Sequence, residues 1–355
     1  MSSDYSADIQ KQLEYAFDNN IGINIQGHNS KAFYGRRTER ALEVLETKQH
    51  KGIIDYQPTE LVITARCGTS IQEIEEALAE KNQILAFEPP MFNQQGGLGG
   101  MISTGLSGPA RPYAGALRDA VLGVSCLNGK AEKLTYGGQV MKNVAGYDIS
   151  RLMTGAMGTL GVILDASIKV MPKPETEITL RLEKTIDQAL QTWLELGKQA
   201  LPISASCHLD DILYIRLAGN TAAVKHAASH IGGEEHNDGA DFWRNLRHHQ
   251  HEFFTGPLPL WRLSLAPATL ALNLSGNTLV DWAGAQRWIK TDESPDIIRS
   301  LCDAHGGHAT LFNPGDNKVE AFHPLTTGIA GLHKQLKHAF DPSGILNPMR
   351  MLADY

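Results

Sequence analysis

Gly96-Gly97-Leu98-Gly99-Gly100-Met101-Ile102-Ser103-Thr104-Gly105-Leu106-Ser107-Gly108 is the stretch on which the reading of this chain turns. Backbone without a Cβ can come close to a ligand. Successive N–H groups entering a helix form an anion-binding concavity. Ser103, Thr104 and Ser107 add hydroxyl donors. A diphosphate suits such a loop. The spacing is neither G-x-G-x-x-G nor G-x-x-x-x-G-K-[ST], so neither the Rossmann fingerprint nor the P-loop is present. Taken alone, the glycines are equally compatible with tight turns between strands.

The excess is regional. The 66 residues from Gly96 to Gly161 hold 15 of the 34 glycines, where even spacing would place about 6. There is no G-X-Y repeat and no Ser/Gly tether texture, which excludes collagen and flexible linkers. Three more small, polar stretches accompany the first. They are Gln26-Gly27-His28-Asn29-Ser30-Lys31, Lys142-Asn143-Val144-Ala145-Gly146-Tyr147-Asp148 and Gly155-Ala156-Met157-Gly158-Thr159-Leu160-Gly161-Val162-Ile163.

Around these loops the chain is ordinary globular material. Its 355 residues suggest two domains at ~100–200 residues each. Hydrophobic residues make up 42% and charged residues 20%, which argues against disorder and coiled coil. The net charge is −7, with no Lys/Arg run, so neither a nucleic-acid footprint nor a polybasic membrane patch is expected. No apolar stretch approaches the ~18 residues of a transmembrane helix. The start, Met1-Ser2-Ser3-Asp4, lacks a signal peptide's basic and apolar regions, and a cytoplasmic location is expected. Cys67, Cys126, Cys207 and Cys302 form no C-x-x-C, so reduced and mostly buried thiols are expected.

Periodicity predicts a helix over 6–19, from Ile9, Leu13 and Phe17, and strands over 21–26, 52–56 and 61–66. Ser70-Ile71-Gln72-Glu73 opens a second helix through about Lys81 as a capping box, and a strand over 84–87 follows. Strands over 119–127 and 131–135 flank Asn128-Gly129, a type I′ hairpin signal. Asp148 caps a short helix over 149–153, and 161–171 alternates as a strand up to Pro172. From Glu175 the order is β-α-β-β-α: strand 177–183, helix 186–199, strands 204–208 and 212–217, and helix 221–231. This predicts an antiparallel sheet with helices on one face. More strand-like segments lie within 258–290. The end carries a helix over 333–340 and the turn Asp341-Pro342-Ser343-Gly344.

The four loops, in this order, resemble those of the vanillyl-alcohol-oxidase (PCMH-type) FAD-binding family, and the likeness runs from Ile23 to Met351. It is most specific over 26–35, 114–123, 141–152 and 155–163, with further passages at 305–312 and 340–351. The last resembles the family's terminal FDP-x-G-x-x-NP signature. Within the family the likeness is to FAD-binding subunits of bacterial glycolate oxidases. The resemblance implies an α+β, two-lobed FAD-binding fold with a reduced α+β cap. It divides the chain into an FAD domain over 1–173, the cap over 174–330, and a segment over 331–355 returning to the FAD domain.

The resemblance also implies the cofactor's contacts. Gln26, Gly27, His28, Asn29, Ser30 and Lys31 correspond to the pyrophosphate loop. Gly99, Gly100, Met101, Ser103 and Thr104 correspond to the loop around the diphosphate and flavin edge. Asn143, Gly146, Tyr147 and Asp148 match a flavin-proximal turn, and Gly158, Thr159, Gly161 and Ile163 the segment past the ribityl and adenosine part. Asn347 stands where the C-terminus returns towards the isoalloxazine, and Gly68 and Thr69 are expected near the diphosphate. Some members tether FAD through a histidine of the first loop. The tethering position falls on Ser30, two residues past His28, so non-covalent FAD is expected.

The substrate side departs from the family. The full-length 2-hydroxy-acid dehydrogenases carry a G-H-x-G-D-G-N-x-H stretch with metal-binding histidines, and here only His305-Gly306-Gly307-His308 comes near. Two glycines argue against a helical H-x-x-H, so no metal is expected. His248, His249 and His251 read as a solvated helix face. A 2-hydroxy acid needs an arginine for its carboxylate and a base for its hydroxyl. Arg216, Arg262 and Arg287 are available, but no motif selects one, and surface salt bridges are the expected role of each. No catalytic residue is assigned. The resemblance implies a subunit that binds FAD beside a larger FAD-binding catalytic subunit and an iron–sulfur subunit. Electrons from a 2-hydroxy acid would then pass towards membrane quinones, with association at the inner membrane face only through these partners. The alternatives are a stand-alone FAD-dependent D-2-hydroxy-acid (D-lactate-like) dehydrogenase and a non-catalytic assembly subunit.

Overall fold

Alternate residues of one strand feed two cores, and the first half of the fold is built on that alternation. In the strand at 162–169, Val162 and Leu164 point to one core and Ile163 to another, which Ala166 and Ile168 join after a register shift past Ile163. The computed structural model describes residues 2–36, 42–92, 95–138, 147–313 and 320–353, and the backbone only at 147–148. Contacts divide the chain into two units: Met1–Leu106, Ala116–Pro172 and Pro324–Tyr355 form the first, and Ser107–Gly115 and Lys173–His323 the second.

The first unit contains β1 (Ile23–Gln26), β2 (Glu43–Glu46), β3 (Ile53–Gln57), β4 (Val62–Arg66), β5 (Gln83–Ile84), β6 (Val121–Leu127), β7 (Lys133–Gly137), β8 (Val162–Lys169) and β9 (Met171–Pro172). β1 and β2 pair in parallel. The central sheet has the order β3-β4-β8-β6-β7 with antiparallel neighbours, and β5 pairs with β9. β6 is buried at every position, as expected of a strand covered on both faces. One core receives Ile71, Ile74 and Leu78 of helix Ile71–Ala79, together with Leu98, Met101 and Ile102 of helix Leu98–Thr104. The other receives Ile9, Leu13 and Ala16 of helix Ser6–Asp18, Leu45 of β2, and Ile345 and Leu346. The Ser70 side chain accepts the Glu73 N–H at 3.1 Å, a cap worth about 1 kcal/mol.

The second unit contains β10 (Thr176–Glu183), β11 (Ile203–Leu209), β12 (Ile212–Gly219), β13 (Glu234–Glu235), β14 (Leu260–Ser264), β15 (Asn277–Asp281), β16 (Gln286–Lys290) and β17 (His308–Asn313). They form one antiparallel sheet in the order β13-β10-β12-β11-β15-β16-β14-β17. Helices Ile186–Leu196 and Thr221–Ile231 share a core with Leu180, Leu213, Ile215 and Leu217. Helix Gly239–Arg247 covers the opposite face. There Trp243 Nε1 donates to Thr179 Oγ1 at 2.9 Å, and Arg216 lies over the Trp243 ring. Helices therefore occupy both faces, not one.

Local differences have local causes. The strand expected over 84–87 is only Gln83–Ile84, which pairs with Met171–Pro172. Glu43–Glu46 is a strand that its own composition hides, since only Leu45 is buried. The Asn128-Gly129 turn is not type I′. Its left-handed residue is Ala131 (φ 60°), and Asn128 Oδ1 accepts the N–H groups of Lys130 and Glu132. Gly129 is needed for another reason, because a Cβ there would lie 2.4 Å from Asp341 Oδ1. The C-terminal helix begins at Thr327, six residues before the periodicity starts.

Candidate functional site

The parallel strands β1 and β2 end side by side, and the chain turns away at Gln26 and Thr47. The N–H and hydroxyl of Thr47 both donate to the Gln26 carbonyl, at 2.8 and 3.1 Å. From this corner opens a cleft of about 220 Å³, lined entirely by the first unit.

One wall is the loop after β1. Asn29 takes a left-handed conformation (φ 57°) that turns the chain. The loop is held from the C-terminus: Arg350 donates to the carbonyls of Ala32 (2.8 Å), Tyr34 (2.7 Å) and Arg36 (3.2 Å). His28 is fixed as well, its Nε2–H donating to the Gly68 carbonyl at 3.0 Å. The facing wall is the entry to helix Leu98–Thr104. Leu98 N–H donates to Thr69 O and Gly99 N–H to Cys67 O, so the turn after β4 carries this helix. A Cβ on Gly97 would strike the His28 ring at 2.6 Å, whereas one on Gly100 would meet no protein atom within 4 Å. Gly97 is required by packing. At Gly100 the missing side chain leaves open space along the cleft.

The floor is the 155–163 stretch and the C-terminal return. Asn347 Oδ1 accepts Ile25 N–H at 2.7 Å, and its Nδ2 donates to Met157 O at 2.8 Å. Asn347 thus ties β1 to the floor. A residue further back holds the return itself. Lys337 Nζ donates to Asp341 Oδ2 (2.7 Å), Thr159 O (2.9 Å) and Leu346 O (2.8 Å), while Asp341 accepts the N–H groups of Ile345 and Leu346.

Of the residues expected from sequence, Gln26, Gly27, His28, Asn29, Ser30, Lys31, Gly99, Gly100, Ser103, Thr104, Gly158, Gly161, Ile163 and Asn347 line the cleft together. Four stand behind its walls. Thr69 is fully buried, its hydroxyl accepting Gly52 N–H. Gly68 lies where a Cβ would clash with three backbone carbonyls. Met101 is a core residue, and the Thr159 hydroxyl donates to Ala156 O. Asn143 and Gly146 lie outside the described residues, as do the side chains of Tyr147 and Asp148, whose backbone opens helix Tyr147–Met153. The sequence reading missed Thr47, Cys67, Gly97, Met157 and Arg350. Gly97 and Met157 sit inside the quoted motifs, whereas nothing local marks Arg350.

The cleft is electropositive. Lys31 and Arg350 line it, and among the described residues no carboxylate does. Lys31 is buried, its Nζ has no hydrogen-bond partner among the described residues, and burial pulls its pKa down to about 8. A buried cation without a partner among the described residues, beside glycine-edged backbone and hydroxyls, fits an anionic ligand.

Comparison with known proteins agrees with this geometry. Residues 4–137 match the FAD binding domain family. The chain is 44% identical to glycolate oxidase subunit GlcE of Escherichia coli K12 over 351 residues, covering 99% of this chain and 98% of that one. The chain belongs to the GlcE family. It is also 30% identical over 187 residues to glycolate oxidase subunit GlcD of Bacillus subtilis, covering 52% of this chain and 39% of that one. An alkyldihydroxyacetonephosphate synthase structure shares the fold, with a TM-score of 0.68 at 14% identity over 98% of this chain and 76% of that one. The GlcE-family chain is thus an FAD-binding protein with the α+β, PCMH-type architecture expected from its loops.

The second unit corrects several sequence expectations. Arg216 and Arg287 are buried, not at the surface, although Arg216 does pair with a carboxylate, its Nε lying 3.9 Å from Glu177 Oε2. Arg216 Nε donates to Ser204 Oγ at 2.9 Å. Arg287 donates to the carbonyls of Thr269, Leu270 and Gly284 and pins the loop before β15. Arg262 lies over the Phe312 ring. His248, His249 and His251 follow helix Gly239–Arg247 and do not form a solvated face. The His249 ring stacks on Phe254 against Trp288 and Phe312, and burial holds its pKa down at about 3. His305 caps helix Pro295–Ala304 and His308 opens β17, so the pair shares no helix face. All four cysteines are buried free thiols, and burial pushes Cys67 and Cys126 up to about 12. One group escaped the sequence reading. Asp281 is buried with Oδ1 unpartnered among the described residues, and burial raises its pKa to about 8. No helix is long and apolar enough to cross a membrane among the described residues.

Proposed function

We propose that this chain is the FAD-binding subunit of a heteromeric glycolate oxidase, which oxidises glycolate to glyoxylate and passes electrons to an iron–sulfur subunit. The observation that carries the proposal is the 44% identity extending over nearly the whole of this chain and of E. coli GlcE. In this reading the first unit is the FAD domain and Lys173–His323 serves as a reduced cap. The likeness to GlcD over half of this chain supports a larger FAD-binding partner with a related FAD-binding half.

The residues would divide the work as follows. Loop 26–31, with its backbone N–H groups and Ser30, and the Gly100 N–H and Ser103 of helix Leu98–Thr104 hold the diphosphate. Gly100 admits the cofactor's body, while Gly158, Gly161 and Ile163 form the floor beneath it. Asn347 ties β1 to the floor, and Arg350 holds the loop after β1 in shape. Bound FAD supplies a two-electron acceptor that can release electrons one at a time. His28, committed to Gly68 O, holds the loop in place, and the FAD is non-covalent. The complex acts in the cytoplasm, reaching the inner membrane face through its partners.

Co-purification of the tagged chain from its native source tests this. Flavin per chain, accompanying subunits and glycolate-dependent dye reduction are recorded together. Stoichiometric FAD, two further subunits and glycolate activity confined to the complex are expected. Full D-lactate turnover by the isolated chain, or a complex whose copy of this chain is colourless, would overturn the proposal.

A further inference from the structure

Lys31 is 7% exposed, and its Nζ makes no hydrogen bond among the described residues. An ammonium group held out of water without a counter-charge is costly. Among its described neighbours the Phe92 ring offers a cation–π contact, which offsets only a small part of that cost. Nζ lies 5.7 Å from the Phe92 ring centroid, and a Cβ on Gly96 would come within 3.4 Å of it.

The charged and titratable side chains facing the same cleft are few. His28 lies on the same loop, Cys67 at the end of β4, and Arg350 on the C-terminal segment. Helix Leu98–Thr104 and the 155–163 stretch contribute glycines, hydroxyls and apolar groups only. Arg350 is engaged with the carbonyls of Ala32, Tyr34 and Arg36, and His28 with that of Gly68. Lys31 is thus a buried cation for which the described residues provide neither an acceptor nor an anion.

We propose that the Lys31 ammonium is the counter-charge for the diphosphate of the bound dinucleotide. The proposal rests on the FAD reading above and adds a fixed positive charge to a cradle otherwise made of backbone N–H groups and hydroxyls.

A proton linkage follows. Burial, with no opposing charge, brings Lys31 down to about 8 in the cofactor-free chain. Part of the population is therefore neutral in mildly alkaline solution. A bound diphosphate favours the ammonium form and draws a proton back. Cofactor and proton bind together above that pH, and affinity falls as pH rises. Cys67, pushed up to about 12, stays protonated throughout this range.

The test uses the full-length chain freed of flavin and titrated with FAD by fluorescence quenching from pH 7 to 9.5. Riboflavin, which has no diphosphate, is titrated alongside. Lys31→Met, which keeps the length and loses the charge, should weaken FAD binding about 10- to 100-fold at pH 7.5, as loss of a charge-assisted contact does, and leave riboflavin unchanged. The wild-type decline in FAD affinity above pH 8 should be absent from the variant. Equal FAD affinity and an equal pH profile in the two proteins would overturn the proposal. Failure of the wild type itself to bind FAD would overturn the underlying reading. Should the variant not fold, calorimetry on the wild type at pH 8.8 in two buffers of different ionisation enthalpy decides. Proton uptake on FAD binding is expected, and none refutes the proposal.

Discussion

Lys337→Met should unfold the floor of the cleft without touching the cleft itself. Lys337 is 4% exposed, and the side chain of its partner Asp341 is fully buried. One ammonium group satisfies the Asp341 carboxylate and the carbonyls of Thr159 and Leu346, at 2.7, 2.9 and 2.8 Å. Methionine fills most of the same volume, so the cavity term is small. What remains is a buried carboxylate without its cation, worth about 3–5 kcal/mol, and two carbonyls without donors. Neither side chain is exposed enough for solvent screening to reduce that figure. The total stability of a folded domain is only about 5–15 kcal/mol. At about 2–4 °C per kcal/mol for a unit of this size, the melting temperature should fall by roughly 6–20 °C. Scanning fluorimetry of wild type and variant measures this. Amide exchange should quicken at Ile345 and Leu346, whose N–H groups donate to Asp341. A variant that melts within about 2 °C of wild type would show that the pair contributes little net energy, and would refute the argument.

Gly100→Val should give a folded chain that purifies without flavin, because its side chain meets open cleft and no protein atom. Retention of stoichiometric FAD would show that the helix entry is misassigned. Acid precipitation should release intact FAD into the supernatant, since His28 is engaged with Gly68 O and the tethering position is Ser30. Flavin remaining with the pellet would contradict this. His249, held near 3 against an ordinary 6.5, is neutral in the fold and protonates only on unfolding as pH falls. Its contribution to stability is intact above pH 6.5 and lost progressively towards pH 3, about 2 kcal/mol by pH 5. His249→Phe should reduce that part of the acid sensitivity in urea titrations at pH 5 and 7. An identical pH difference in the two proteins would refute it.

Local chemistry in the sequence was enough for much of this protein. The spacing of Ile71, Ile74 and Leu78 and the Ser70 cap specify a helix, because both act within a few residues along the chain. The glycine-rich loops are legible for the same reason, since a bare backbone announces itself in composition, and most of the residues that the resemblance placed at the cofactor do line one cleft. Tertiary structure decided which of the small polar residues face the ligand. Thr69 and Thr159 look as suitable as Ser103, yet their hydroxyls are spent on Gly52 N–H and Ala156 O behind the walls of the cleft. It also decided the burial of Arg216, Arg287 and His248, which composition alone assigns to the surface. The pieces that close the site bridge long distances along the chain: Lys337 reaches back 178 residues to Thr159, and Asn347 reaches back 322 to Ile25. No periodicity or propensity encodes such pairings. They exist because buried donors and acceptors must find partners once the chain has collapsed, and Lys31 is a buried donor for which the described residues supply no acceptor.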